Sequence, residues 1–239
     1  MNTLYNTEIN VYFENDDDIQ VNGCLNGMFE ISQEMEKLLE KRKTWFFSGH
    51  SKKDALENIA FDDNGPTKNA ITIVSKHYKK NKPLINESLW DGEQYGESCS
   101  ISHYMMFILN PKKGMFVIGM DEKMENTEKM ISMVMFLART RNKAYVAVDS
   151  KGYKLNKYNV FPDRIYVGWM LYIPHVVLPN LVPQAAKVIP VMDGDKQKGT
   201  IVISTEDIFD GSNKEHIAKA NDLEIRLLDL GLLPLMTEL

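Results

Sequence analysis

The chain has 239 residues, of which 44% are hydrophobic and 26% charged, and its formal net charge is −5. This composition is typical of a globular protein, and the absence of an apolar run of about 18 residues excludes a transmembrane helix. The acidic balance argues against a general nucleic-acid binder, because such a protein collects phosphates on a basic face.

The first third of the chain predicts one strand followed by helices. Ile9, Val11 and Phe13 recur at every second position, which is the period of a half-buried strand. The apolar residues that follow recur every three or four positions, as on one face of a helix: Met28, Ile31, Met35 and Leu38 or Leu39. Two more helices are predicted over residues 52–60 and 66–80, the second because Pro66 suits a first helical turn.

Strands are predicted in the middle of the chain. Residues 84–90, 98–109 and 115–120 form a predicted antiparallel meander, whose last strand follows a turn at residues 110–114. A helix over residues 122–141 comes next, acidic at its start and basic at its end, which is the order that complements the helix dipole.

The last third predicts strands, a hairpin and a final helix. Strands are expected over 144–148 and 165–173, and the hairpin pairs 188–192 with 200–204. Pro190 places the first arm of the hairpin at a sheet edge, because proline cannot donate to a strand ladder. Ser212 and Glu215 predict a capping box at the start of the final helix. Gly231 and Pro234 predict its end.

These elements define an α+β chain, mainly an antiparallel sheet packed by several helices, since strict strand–helix alternation is absent. No linker rich in Pro, Gly or Ser divides the sequence, so a single domain over residues 1–239 is predicted. The polar segment 150–162 is a possible boundary between two lobes. The start of the sequence lacks an export signal, and Cys24 and Cys99 are expected to be reduced thiols, so a cytoplasmic location is predicted.

The sequence lacks the motifs GxGxxG after a strand, GxxxxGK[ST], HExxH and GxSxG, so no cofactor and no metal is predicted. One catalytic alternative remains open. Asp149 and Lys151 follow an apolar strand in the order D-x-K, in which restriction-type nucleases place a metal-binding carboxylate and a catalytic lysine. Asp121 is then the candidate for the second acidic ligand of Mg²⁺. The alternative interpretation of D-x-K is a charged exit from a buried strand.

An acidic loop surrounds two aromatic residues in the middle of the chain. The candidate binding residues are Trp90, Asp91, Glu93, Tyr95 and Glu97. Aromatic side chains ringed by charge are typical of binding hot spots, and acidic loops attract a basic partner. The structural alternatives are that the acids provide solubility and that Trp90 anchors the core at a strand end.

Several stretches together suggest a family: residues 45–49, Leu89-Trp90-Asp91-Gly92, the strand 98–104, Val167-Gly168-Trp169, residues 199–203, His216 and Leu232-Leu233-Pro234. With them the chain resembles the immunity protein 52 family of bacterial polymorphic toxin systems. The resemblance implies no catalytic residues. It implies an inhibitor that binds the effector domain of a secreted toxin, expected to be a restriction-endonuclease-like nuclease delivered by contact-dependent or type VI secretion in interbacterial competition.

The leading hypothesis is therefore an immunity protein, a non-enzymatic antitoxin that acts by stoichiometric complex formation. Its expected partner is the cognate toxin, with no direct contact to nucleic acid or membrane, and its oligomeric state stays open. One alternative is a metal-dependent nuclease that uses Asp121, Asp149 and Lys151. The other is a regulatory module that binds a small ligand.

Overall fold

The computed structural model describes residues 6–49, 51–82, 84–107 and 110–239. It contains helices and antiparallel strand ladders, so the predicted α+β class is confirmed. The chain divides into two compact units: unit I comprises residues 14–122, and unit II comprises residues 1–13 and 123–239. The segment 150–162 lies within unit II, and the single domain predicted over residues 1–239 stays a prediction.

Unit I contains an antiparallel sheet with strand order β7-β6-β5-β2. The strands of this sheet are β2 (Phe46–Phe47), β5 (Glu87–Trp90), β6 (Cys99–Phe107) and β7 (Asn110–Met120). A separate small hairpin pairs β3 (Phe61–Asp62) with β4 (Gly65–Pro66). The helices of unit I are α1 (Val21–Leu39), α2 (Lys52–Glu57) and α3 (Lys68–Asn81).

Helix α1 supplies the apolar face that covers this sheet. The predicted stripe is confirmed, because Met28, Ile31, Met35 and Leu38 are all buried. The helix packs against β6 and α3, and it ends at Glu40, whose φ of 53° is left-handed. Residues 41–45 then connect the end of α1 to strand β2 of the sheet.

Unit II contains an antiparallel sheet with strand order β10-β11-β9-β8-β1. Its strands are β1 (Thr7–Glu14), β8 (Tyr145–Ser150), β9 (Met170–Ile173), β10 (Lys187–Asp193) and β11 (Lys196–Ile203). Its helices are α4 (Thr127–Thr140) and α5 (Lys214–Asp229), with a 3-10 turn at Pro179–Leu181. Helix α4 packs on β8, β10 and β11. Pro190 lies in β10 at the end of this strand order, which confirms the predicted edge position.

Several predicted boundaries in unit I are wrong. The helix predicted over residues 52–60 ends at Glu57. The turn predicted at residues 110–114 lies inside β7, where Asn110 pairs with Phe107 and Gly114 with Met105, and a shift in register places three residues of β7 opposite one of β6. Leu109, the predicted end of the preceding strand, lies outside the described residues. Pro66 belongs to β4, and α3 begins at Lys68 because the Thr67 hydroxyl caps it by accepting the Ala70 N–H at 3.0 Å.

Three boundaries in unit II also differ from the prediction. Asn126 caps α4, which therefore begins at Thr127 and not at residue 122. Only residues 170–173 of the predicted strand 165–173 form β9, although residues 165–169 are buried. The predicted capping box is absent: Asn213 accepts the Glu215 N–H at 2.9 Å, and the Ser212 hydroxyl donates to Asp210. Gly231, with φ at 69°, follows the end of α5 as predicted.

Candidate functional site

The acidic loop predicted to bind a partner connects β5 to β6 in unit I, over residues 91–97. Gly92 and Gly96 take positive φ values of 79° and 97°, which lets the chain turn sharply at both ends of the loop. The Asp91 N–H donates to the Cys99 carbonyl at 3.2 Å, so the ladder between the two strands continues to the base of the loop. The loop therefore connects two regularly paired antiparallel strands, β5 and β6.

A buried lysine fixes the first part of this loop. Lys43 Nζ donates to Asp91 Oδ2 at 2.7 Å, to Glu122 Oε1 at 2.8 Å and to the Glu97 carbonyl at 3.3 Å. The side chains of Lys43 and Asp91 are 2% and 0% exposed. Burial lowers the pKa of Lys43, but the hydrogen bonds to Asp91 and Glu122 outweigh it and hold the pKa above its ordinary value. The lysine is therefore charged, and it ties both ends of the loop to residues 41–45.

A second buried acid fixes the far end of the loop. Asp121, which is 3% exposed, accepts the Gly96 N–H at 3.2 Å and the Ser98 hydroxyl at 2.6 Å. Sequence analysis offered Asp121 as a metal ligand for a nuclease. In the structure its carboxylate organises the backbone of the acidic loop.

The loop presents a different set of side chains to solvent. Tyr95 is 80% exposed, and Glu97 is exposed beside it. Glu93 is partly exposed and lies 3.8 Å from Lys41 Nζ, a separation that contributes little energy at a surface. Trp90 is half-buried and packs at a tilt on Phe46, with 6.4 Å between the ring centroids. Of the predicted residues, Trp90 and Asp91 therefore support the loop, and Glu93, Tyr95 and Glu97 are presented by it.

Unit I also contains a polar groove of about 330 Å³. Helix α1, residues 42–45 and the hairpin strand β3 with Asp63 line it. Lys43 belongs both to the groove wall and to the ion cluster under the acidic loop. Sequence reasoning missed the groove and Lys43, because the stretch Lys41–Thr44 has no periodicity that distinguishes a buried lysine from an exposed one.

The D-x-K side chains of unit II have local structural partners. The Asp149 carboxylate accepts the N–H of Tyr153 at 2.8 Å and of Lys154 at 3.0 Å. Burial raises the pKa of Asp149 to about 6, although these hydrogen bonds lower it in part. Lys151 Nζ lies 2.6 Å from Asp210 Oδ2. Within the described residues no group of three or more His, Cys, Asp and Glu side chains is placed to hold a metal ion.

Two further sequence predictions concern the cysteines and the membrane. Cys24 and Cys99 are both buried and unpaired, which agrees with the predicted free thiols. Among the described residues, no helix combines the length and the apolar character that a bilayer crossing needs.

An exposed tyrosine among carboxylates has the composition that is common in protein–protein interfaces. Residues 18–236 match the family described as immunity protein 52, and the chain belongs to that family. The resemblance noted in the sequence is thereby confirmed. The family assignment indicates an immunity function, in which the protein binds a cognate toxin.

The fold is also similar to that of a solved structure, the Pseudomonas aeruginosa T6SS protein PA0821. The TM-score is 0.51 at 12% sequence identity, and the match covers 93% of this chain and 75% of that chain. At this identity the likeness concerns the fold alone. No curated protein matches the sequence.

Proposed function

We propose that this protein neutralises a cognate nuclease toxin in the cytoplasm by forming a stoichiometric complex with the toxin's effector domain. Membership of the immunity protein 52 family supports the immunity function. The similarity in fold to a T6SS protein supports a place in interbacterial competition, with a toxin delivered by type VI secretion. Cytoplasmic action fits a nuclease target, since its substrate is found there.

The observation that carries the proposal is the fixed acidic loop of unit I. Lys43 and Asp121 hold its backbone, so the main chain that carries Glu93, Tyr95 and Glu97 has little conformational freedom left to lose on binding. A preorganised loop binds more tightly than a flexible one, because less entropy is lost when the complex forms. A rigid aromatic side chain with flanking carboxylates is well suited to anchor such a complex.

The charge of the loop supports a nuclease as the toxin. A nuclease must bind the phosphates of its substrate, so its cleft is lined by basic side chains. Carboxylates on the inhibitor complement such a cleft and raise the rate of association. In this proposal Glu93 and Glu97 face the basic rim of the toxin, and Tyr95 is buried at the centre of the contact.

The test is to co-express this protein with the effector domain of the toxin encoded beside its gene. Rescue of growth is expected, together with co-elution in a one-to-one complex and a Kd in or below the nanomolar range, which corresponds to about −12 kcal/mol. The purified complex should also protect plasmid DNA from the toxin. A toxin from an unrelated locus serves as the control, and failure to rescue growth from the cognate toxin would refute the proposal.

A further inference from the structure

The groove of unit I carries an excess of negative charge that its own cations do not balance. Glu36 Oε1 accepts the Lys43 N–H at 3.1 Å, and Asp62 Oδ1 accepts the Asn64 N–H at 2.8 Å. Within the described residues neither carboxylate has a lysine or arginine nitrogen within 4 Å. The ammonium group of Lys43 already forms ion pairs with Asp91 and Glu122. The other groove cation, Arg42, pairs with Asp63 at a position where both side chains are 77% exposed.

The wall of the same groove holds a polar group without a partner. Trp45 lines the groove and is 2% exposed, yet its indole N–H has no acceptor among the described residues. Leaving a buried donor unsatisfied is unfavourable, so such groups are uncommon. A peptide carbonyl at the inner end of the groove would supply the missing acceptor.

The groove and the proposed toxin-binding loop share one buried residue, Lys43. Lys43 lines the groove and also donates to the Glu97 carbonyl, so both features share the segment 41–45. The volume of about 330 Å³ is at the small end of ligand sites, a size that suits one long side chain with its backbone.

We propose that the groove receives a basic side chain, arginine or lysine, from the toxin, which rests on the function proposed above. Its cation pairs with the carboxylates of Glu36 and Asp62, and a carbonyl of the same toxin segment accepts the hydrogen bond of the Trp45 indole. The acidic loop and the groove are then two parts of one contact face. The partly enclosed pair in the groove contributes specificity, since a toxin without that basic residue leaves two carboxylates unpaired.

The first experiment uses Glu36→Gln with Asp62→Asn, which remove two charges but keep the shapes of the side chains. The amide oxygen introduced at position 36 can still accept the Lys43 N–H, so the fold is preserved. The variant removes both carboxylates that would pair with the cation of the toxin, so at least a tenfold loss of toxin affinity is expected. Glu57→Gln with Asp17→Asn, at exposed positions of unit I, is the matched control and should change affinity less than twofold.

The outcomes separate the two proposals. If wild type binds the toxin and the groove variant binds it equally well, the groove proposal is wrong and the immunity function stands. If wild type does not bind, the proposed function itself is wrong.

A second experiment tests the groove without the toxin. N-acetyl-L-arginine amide, titrated into the full-length protein, should shift the NMR signal of the Trp45 indole N–H in a saturable way. The neutral isostere N-acetyl-L-citrulline amide should shift it less, and the groove variant should bind the arginine compound less tightly. An indole signal that does not respond, or that responds equally to both compounds, overturns the proposal.

Discussion

Lys43 and Asp91 form a buried ion pair of 2.7 Å, although 48 positions separate them in the sequence. The pair joins the segment after α1 to the first residue of the loop between β5 and β6. An uncompensated charge in such a place is costly, so each partner requires the other. The shape of the acidic loop is therefore coupled to a residue that does not belong to it.

Lys43→Met is expected to destabilise the protein strongly. The substitution keeps the aliphatic packing but leaves Asp91 buried without its cation, which costs about 3–5 kcal/mol in comparable pairs. Urea unfolding of the variant measures the change in unfolding free energy. Lys187→Met, which breaks the exposed pair with Glu128, is the control and should cost less than about 0.5 kcal/mol.

The double variant Lys43→Met with Asp91→Leu provides the complementary test. Removing both charges leaves no fully buried charge unpaired, and the partly exposed Glu122 still has Lys41 Nζ at 3.7 Å, so part of the lost stability should return. If the losses of the two single variants simply add, the two residues are not coupled and the ion pair does not hold the loop.

Tyr95→Ala should weaken toxin binding without affecting the fold. The side chain is 80% exposed in the free protein, so its removal changes few internal contacts. Central tyrosines in interfaces contribute about 2 kcal/mol or more, which predicts roughly a thirtyfold or larger increase in Kd. Calorimetry measures the affinity, and thermal unfolding verifies the fold. Tyr104→Ala, at a 40% exposed position on β6, is the control that should leave Kd unchanged.

Charge reversal at Glu93 and Glu97 should act mainly on the rate of association. Both are rim positions outside the ion cluster, and rim charges steer diffusional encounter more than they hold the bound complex. Stopped-flow kinetics should show a slower association for Glu93→Lys with Glu97→Lys, and the difference should shrink at high salt. An unchanged association rate at low salt would contradict the role assigned to these acids.

Much of the fold could be predicted because local patterns encode it. The buried stripe of α1 repeats at the helical period, and Pro190 at a sheet edge follows from its missing N–H. The errors arose where two residues compete for one role. Ser212 and Asn213 are both good helix caps, and only the fold selects Asn213. The turn expected at residues 110–114 was wrong because a bulge accommodates Pro111 and Gly114 within β7.

The candidate site was less predictable than the fold. The sequence located the loop and its exposed tyrosine, because acidic and aromatic residues cluster there. It gave Asp91 the same role as Glu97, although Asp91 is buried against Lys43. Charge composition alone does not distinguish a buried carboxylate from an exposed one, since the difference depends on a partner far away in the sequence.

Gly168→Ala should destabilise unit II more than a positive φ alone would explain. Gly168 has φ of 55°, and an added Cβ would lie 2.6 Å from the Val148 carbonyl oxygen. Left-handed backbone costs a non-glycine residue about 1–2 kcal/mol, and the clash adds to this cost. Gly194→Ala is the matched control, because its φ is 58° with open space around the Cβ position. Chemical unfolding should show a clearly larger loss for Gly168→Ala, and equal losses would show that the backbone relieves the clash.

The Asp149 carboxyl should titrate near pH 6 in the folded protein, because burial disfavours its charged form. An unfolded aspartate titrates near about 3.9, so the folded state binds the proton more tightly between these two values. The stability contributed by this group is therefore highest below about pH 4 and falls as pH rises to about 6, by up to about 3 kcal/mol. Carbon-13 NMR of the Asp149 carboxyl measures the midpoint directly, with a peptide of residues 147–155 as the unfolded reference. Equal midpoints in the protein and the peptide would contradict the prediction, whereas a higher midpoint in the protein would show that burial outweighs the two backbone N–H donors.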